Sequence, residues 1–172
     1  LLETKLGIPF RTPAEGHNIA FTSLWDNYPD SLQIPLQGKA SRAYLLMAGS
    51  TNHMQCHIDN GVIRVYYEDG TCDTLSLVNP DNWPPIEQIF FEDGKSFNRH
   101  APSLYRLRLK TGELSNNFGE ELGFTGVSRE VDGGAAVLLE MSLNAGKKLS
   151  HLVLETLSNE VVIGIMGITL QR

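Results

Sequence analysis

Two segments of the chain set aromatic rings among carboxylates and amides, and prolines stiffen both of them. They cover residues 25–29 and 79–85. An aromatic ring can cover the apolar C–H face of a sugar, while amide and carboxylate groups bond its hydroxyls. We therefore predict that the two segments form a carbohydrate-binding site. Its candidate residues are Trp25, Asp26, Asn27, Tyr28, Asn82 and Trp83.

The same aromatic residues have a structural interpretation. A tryptophan in a loop often closes the end of a hydrophobic core, and a large buried ring leaves a cavity when it is removed. The sequence leaves both interpretations open for each loop. Exposure of Trp25 and Trp83 would distinguish a binding surface from a core plug.

Motifs for catalysis are missing from the sequence, which has no GxSxG, no HExxH, no phosphate-binding loop and no GxGxxG before a helix. His53 and His57 are four residues apart. On a predicted strand they would be separated by about 13 Å, too far to share a metal. We therefore predict no catalytic residue, no metal and no cofactor.

Acidic residues cluster at Glu87, Glu92 and Asp93, and again at Glu120 and Glu121. Glycoside hydrolysis needs two carboxyl groups about 5–9.5 Å apart. Sequence spacing does not give that distance. A glycosidase that uses Glu87 and an aspartate therefore remains an alternative hypothesis.

Length and composition are typical of one globular domain spanning residues 1–172, with 41% hydrophobic and 20% charged residues. The formal net charge of −6 argues against nucleic acid or an anionic membrane surface as a partner. No apolar run approaches the roughly 20 residues that span a bilayer, so we expect no membrane insertion. Because the chain starts at Leu1 rather than Met, we expect either a processed chain or, as the favoured alternative, a domain cut from a longer polypeptide.

Short runs of alternating apolar and polar residues, separated by turn residues, predict an all-β fold. The expected architecture is a two-sheet antiparallel β-sandwich. The predicted strands are Ile19–Ser23, Ser31–Leu36, Ser41–Gly49, Met54–Ile58, Val62–Glu68, Cys72–Val78, Ser103–Lys110, Gly134–Leu143, Leu149–Leu157 and Val161–Leu170.

Turn chemistry predicts the register of a central meander. Asn60-Gly61 is typical of a two-residue hairpin, and 68–70 is typical of a three-residue loop with a left-handed glycine. The second turn pairs Val65 with Asp73. Together the two turns predict a core face made of Met54, Cys56, Ile58, Ile63, Val65, Tyr67, Leu75 and Leu77.

The same register separates the two cysteines. Cys56 falls on the core face and Cys72 on the opposite face, so we predict two free thiols. The strand 103–110 alternates similarly. It predicts Tyr105, Leu107 and Leu109 facing inward, with Arg106, Arg108 and Lys110 facing solvent.

Three segments, with Ile63–Thr71 between them, together resemble a galactose-binding-like jelly-roll domain: Phe21–Pro29, Ile34–Ala40 leading into Ala43–Asn52, and Asn79–Gln88. Such domains accompany glycoside-hydrolase-like proteins of bacterial polysaccharide-utilisation systems. The resemblance is strongest over residues 8–90. It implies a jelly-roll sandwich and a carbohydrate context, without a defined ligand or catalytic residue.

These observations favour a non-catalytic accessory module of a carbohydrate-active protein. Its expected location is periplasmic or extracellular, and its expected partners are carbohydrate and an adjacent domain of the same polypeptide. The alternative is a purely structural module that packs against a catalytic domain, with Trp25 and Trp83 at the junction.

Overall fold

The computed structural model describes residues 2–13, 15–87, 100–117 and 130–172. Within these ranges the chain forms twelve strands and one short 3-10 helix, His53–Gln55. The strands are β1 (Leu2–Glu3), β2 (Pro9–Phe10), β3 (Ala20–Ser23), β4 (Ser31–Pro35), β5 (Arg42–Ser50), β6 (Asp59–Tyr67), β7 (Cys72–Val78), β8 (Tyr105–Arg108), β9 (Leu114–Ser115), β10 (Ala135–Ser142), β11 (Leu149–Thr156) and β12 (Val162–Gln171).

Two antiparallel sheets form the body of the protein. The larger has six strands in the order β3-β12-β5-β10-β8-β9, and the smaller has four in the order β4-β11-β6-β7. β1 and β2 pair with each other as a separate two-stranded sheet. The all-β, two-sheet antiparallel sandwich predicted from strand alternation is confirmed.

The main core lies between the two sheets. Apolar side chains of β5 and β12 in the larger sheet meet those of β6 and β11 in the smaller one. The outer face of the larger sheet carries a second apolar cluster around Phe10 and Leu46, so β5 is covered on both sides. That double burial explains the nearly continuous apolar run of β5, because a strand with one wet face would alternate.

Nine of the ten predicted strands match observed ones to within a few residues, and Cys72–Val78 matches at both ends. The turn at 68–70 is also confirmed, with Gly70 in the left-handed region at φ 82°. It pairs Val65 with Asp73 as predicted.

The predicted strand Met54–Ile58 and its hairpin turn at Asn60-Gly61 are wrong. Both turn residues lie inside β6. The Asn60 amide is buried, where it donates to the carbonyls of Gln55 and Ile58 and accepts from Thr51 Oγ1. A Cβ on Gly61 would overlap Ile163 of the opposite sheet. Asn60 therefore supplies buried hydrogen bonds and Gly61 allows close packing of the two sheets, and neither residue forms a turn.

The predicted core face is correct only in β6 and β7, the two strands that the turn at 68–70 connects. Ile63, Val65, Tyr67 and Leu77 are buried, and Leu75 packs against the core. Met54 and Ile58 are exposed instead, and Cys56 is half-buried. The prediction places these three residues on the core face on the assumption that 54–58 is a strand. Side chains alternate between two faces only in an extended segment, and this segment is not extended.

The expected solvent-facing basic row is wrong at Arg106. This guanidinium is buried and donates to the carbonyls of Pro85 and Ala135, both at 2.8 Å. Burial lowers the pKa of Arg106 to about 10, and the charge of Glu87 opposes that shift. Arg106 thus ties the β7–β8 connection to β10, while Leu109, predicted to face inward, is exposed.

Candidate functional site

Four chain connections gather at one end of the sandwich, which we call the loop end. Ser23, Val162 and Ser50 are neighbours across β3, β12 and β5, and Ser31 pairs with Glu155 in the smaller sheet. The loop end therefore comprises residues 24–30, 51–58 and 157–161, with the start of the β7–β8 connection at 79–87. Both predicted binding loops belong to it.

The first loop presents an exposed tryptophan. Trp25 is 49% exposed, and its ring centroid lies 6.5 Å from that of Tyr28 at a tilt of 48°. Tyr28 in turn forms a T-shaped pair with Phe21, with 6.4 Å between ring centroids. Asp26 and Asn27 are exposed beside the rings. We call Trp25, Asp26, Asn27 and Tyr28 the Trp25 patch.

Short-range hydrogen bonds hold the Trp25 patch in place. Tyr28 N donates to the Trp25 carbonyl at 2.9 Å, which closes a turn over Asp26 and Asn27. The buried Ser23 hydroxyl accepts from Trp25 N at 3.3 Å and donates to the Val161 carbonyl at 2.8 Å. The aromatic pair is therefore fixed to β3 and to the start of β12 before any ligand arrives.

The second loop does not contribute an accessible aromatic ring. Trp83 is 0% exposed and belongs to the main core, so its ring cannot serve as a sugar platform. Asn82 Oδ1 accepts from Val78 N at 2.7 Å, and Asn82 Nδ2 donates to the Ser76 carbonyl at 2.8 Å. The predicted site is thus divided: Asn82 and Trp83 have structural roles, and the Trp25 patch remains at the surface.

Three side chains of types that can ligate a metal come together at the loop end, and their spacing in the sequence does not indicate it. His57, Asp81 and His100 place their ligand atoms within 4.8 Å of one another, and we call them the histidine cluster. The two imidazole rings stack at 4.7 Å between centroids. The prediction that His53 and His57 share no metal assumed a strand, but this segment is a 3-10 helix and loop. His57 meets residues far along the chain, which no local spacing indicates.

Of the acidic residues that the sequence offers for hydrolysis, the structure describes Glu87 alone. Glu87 is exposed, and its backbone carbonyl accepts from Val131 N at 2.7 Å. Its predicted partners Glu92 and Asp93 lie outside the described residues, as do Glu120 and Glu121.

The comparisons with known proteins add no assignment. No family model, no curated protein and no solved structure matches the chain. Among the residues that the structure describes, no helix combines the length and apolar character that crossing a membrane requires.

Proposed function

We propose that this chain is a non-catalytic accessory module of a glycoside-hydrolase-like protein and that it binds carbohydrate through the Trp25 patch. The observation that carries the proposal is the exposed Trp25 ring, which Tyr28 contacts and which the exposed Asp26 and Asn27 follow in the chain. A half-exposed indole offers a flat apolar surface, and the adjacent carboxylate and amide offer hydrogen bonds to hydroxyls.

The wider context is part of the same proposal. The sequence resemblance to galactose-binding-like jelly rolls supports a jelly-roll connection of the strands and a carbohydrate setting. A periplasmic or extracellular location would give the module access to polysaccharide. Loops at the end of a sandwich are also where such folds carry binding groups.

A glycan array followed by calorimetric titration tests this function. We expect saturable binding of at least one glycan, and Trp25→Ala should weaken it by more than about tenfold, since truncating a central aromatic anchor typically costs 2 kcal/mol or more. Leu6→Ala is the matched control, because Leu6 is similarly exposed, at 45%, outside the loop end. No binding on the array, or equal affinity in both variants, would overturn the proposal.

A second candidate function is docking against an adjacent domain. Three more large apolar side chains are exposed at the loop end: Met54 at 86%, Ile58 at 48% and Leu157 at 42%. Exposed apolar patches commonly mark interaction surfaces. A covered surface would therefore explain why these side chains face solvent in the isolated chain.

Hydrogen exchange separates the two candidates. The isolated chain is compared with the same chain joined to the adjacent domain that the docking hypothesis assumes. Docking predicts slower exchange at 51–58 and 157–161 in the joined protein. Carbohydrate binding predicts protection at 24–28 only when glycan is added.

A further inference from the structure

We propose that the histidine cluster is a binding site for a divalent late transition metal, with Zn²⁺ as its natural test ion. Two imidazoles and one carboxylate are ligands that zinc accepts, and a fourth position would be left to water. Nitrogen ligands of this kind favour zinc, copper or nickel over calcium and magnesium. The site is independent of the proposed carbohydrate binding.

The backbone brings the three side chains together. His57 adopts φ 56°, a left-handed conformation that is uncommon outside glycine and that asparagine, aspartate and histidine adopt most readily. Its N–H donates to the carbonyl of the buried Asn79 at 2.7 Å. This hydrogen bond holds His57 against the 79–81 segment.

Asp81 holds the second histidine. Its Oδ1 accepts from His100 N at 2.6 Å, and its Oδ2 lies 3.8 Å from His100 Nδ1. One carboxylate oxygen thus fixes the backbone of His100 while the other faces the imidazole. Anchoring of this kind fixes a ligand before the metal arrives.

The ligand atoms need to move only a short distance to bind one zinc ion. Two atoms bound to one tetrahedral zinc at about 2.0–2.1 Å are separated by about 3.3 Å. The ligand atoms of the histidine cluster lie within 4.8 Å. Both histidines are exposed, so rotation of their side chains can close the difference without moving the core. A bound metal would link the β5–β6 connection to two points of the β7–β8 connection.

Titration of the metal-free protein with zinc chloride in a non-chelating buffer tests the proposal. We expect one zinc per chain, with affinity reduced at least about tenfold in Asp81→Asn and in His100→Ala. His57→Asn is the third variant, since asparagine tolerates the left-handed backbone. The control is His151→Ala, because His151 stacks on Tyr66 in the smaller sheet, away from the cluster.

A thermal melt gives a second readout, since an ion that binds only the folded state raises its stability. Zinc should raise the melting temperature of the wild type and of His151→Ala, and should leave His100→Ala unchanged. The proposal is overturned if zinc binding is not saturable at one site, if His100→Ala binds as tightly as His151→Ala, or if calcium competes on equal terms.

Discussion

The indole ring of Trp83 is seated on the backbone of Gly49. A Cβ placed on Gly49 would lie 2.8 Å from the ring carbon Cζ2, closer than real Cβ contacts allow. The glycine therefore leaves the room that the ring occupies, and the ring closes the loop end of the core. This contact accompanies the burial of Trp83, while Trp25 in the other loop is half exposed.

Truncation of Trp83 should be strongly destabilising. Trp83→Ala removes a fully buried ring, and such changes cost about 3–5 kcal/mol of unfolding free energy. For a chain of this size that corresponds to a fall of roughly 6–20 °C in melting temperature. Differential scanning calorimetry measures the shift.

Trp25→Ala is the matched control for that experiment. Its ring is half exposed, so the melting temperature should change by no more than a few degrees. Equal losses in the two variants would contradict the division of the predicted site into a core plug and a surface patch.

A charge on the core face should unfold the sandwich. Val65 is fully buried in the main core, so Val65→Asp places a carboxylate among apolar side chains. We expect a loss of about 4 kcal/mol or more. Thr74→Asp, on the exposed face of the neighbouring strand and opposite Arg64, should change stability by only about 0.5 kcal/mol. Urea unfolding followed by fluorescence compares them, and similar midpoints would reject the face assignment.

The two thiols should be free and should differ in reactivity. Cys72 is exposed, whereas Cys56 is half-buried and accepts from Asn79 Nδ2 at 3.3 Å. Burial raises the pKa of Cys56, which lowers its thiolate fraction. A thiol reagent should label Cys72 quickly and Cys56 slowly in the folded protein, and both after denaturation. A denatured, unreduced chain with no reactive thiol would rule out this arrangement.

Alkaline pH should weaken the contribution of Tyr67 to the stability of the folded state. Its hydroxyl donates to Asp73 and accepts from Asn144 N, and burial together with the Asp73 bond raises its pKa to about 12. Unfolded tyrosine has a pKa of about 10, so the unfolded chain loses the proton first. The stabilisation is complete below pH 10 and is lost as pH rises through 12.

The comparison with Tyr67→Phe isolates this effect. The difference in unfolding free energy between the wild type and Tyr67→Phe should shrink by on the order of 2 kcal/mol between pH 9 and pH 12. Arg106 titrates in both proteins, so its contribution cancels in the difference. A constant difference across this range would show that the hydroxyl is not held as the structure has it.

Local patterns in the sequence correctly predict nine of the twelve described strands and one turn. Alternation of apolar and polar residues has the period of a strand, and Gly70 supplies the left-handed position that the turn at 68–70 requires. Both signals are local, so they predict the all-β class and the pairing of Val65 with Asp73 without knowledge of distant contacts. Both cysteines are free, as predicted, although the strand assigned to Cys56 is wrong.

Other features depend on residues that are distant in the sequence, and these follow from the tertiary packing. Asn60-Gly61 has the composition of a turn, but the packing of Ile163 against Gly61 places the pair inside a strand. Burial of Trp83 depends on the gap at Gly49, and no feature of its own loop indicates that gap. His57 meets His100 across 43 positions of the sequence, because loops from different strands converge at one end of the sandwich. Side-chain contacts of this kind arise from the packing of the sheets, which the local pattern of residues does not encode.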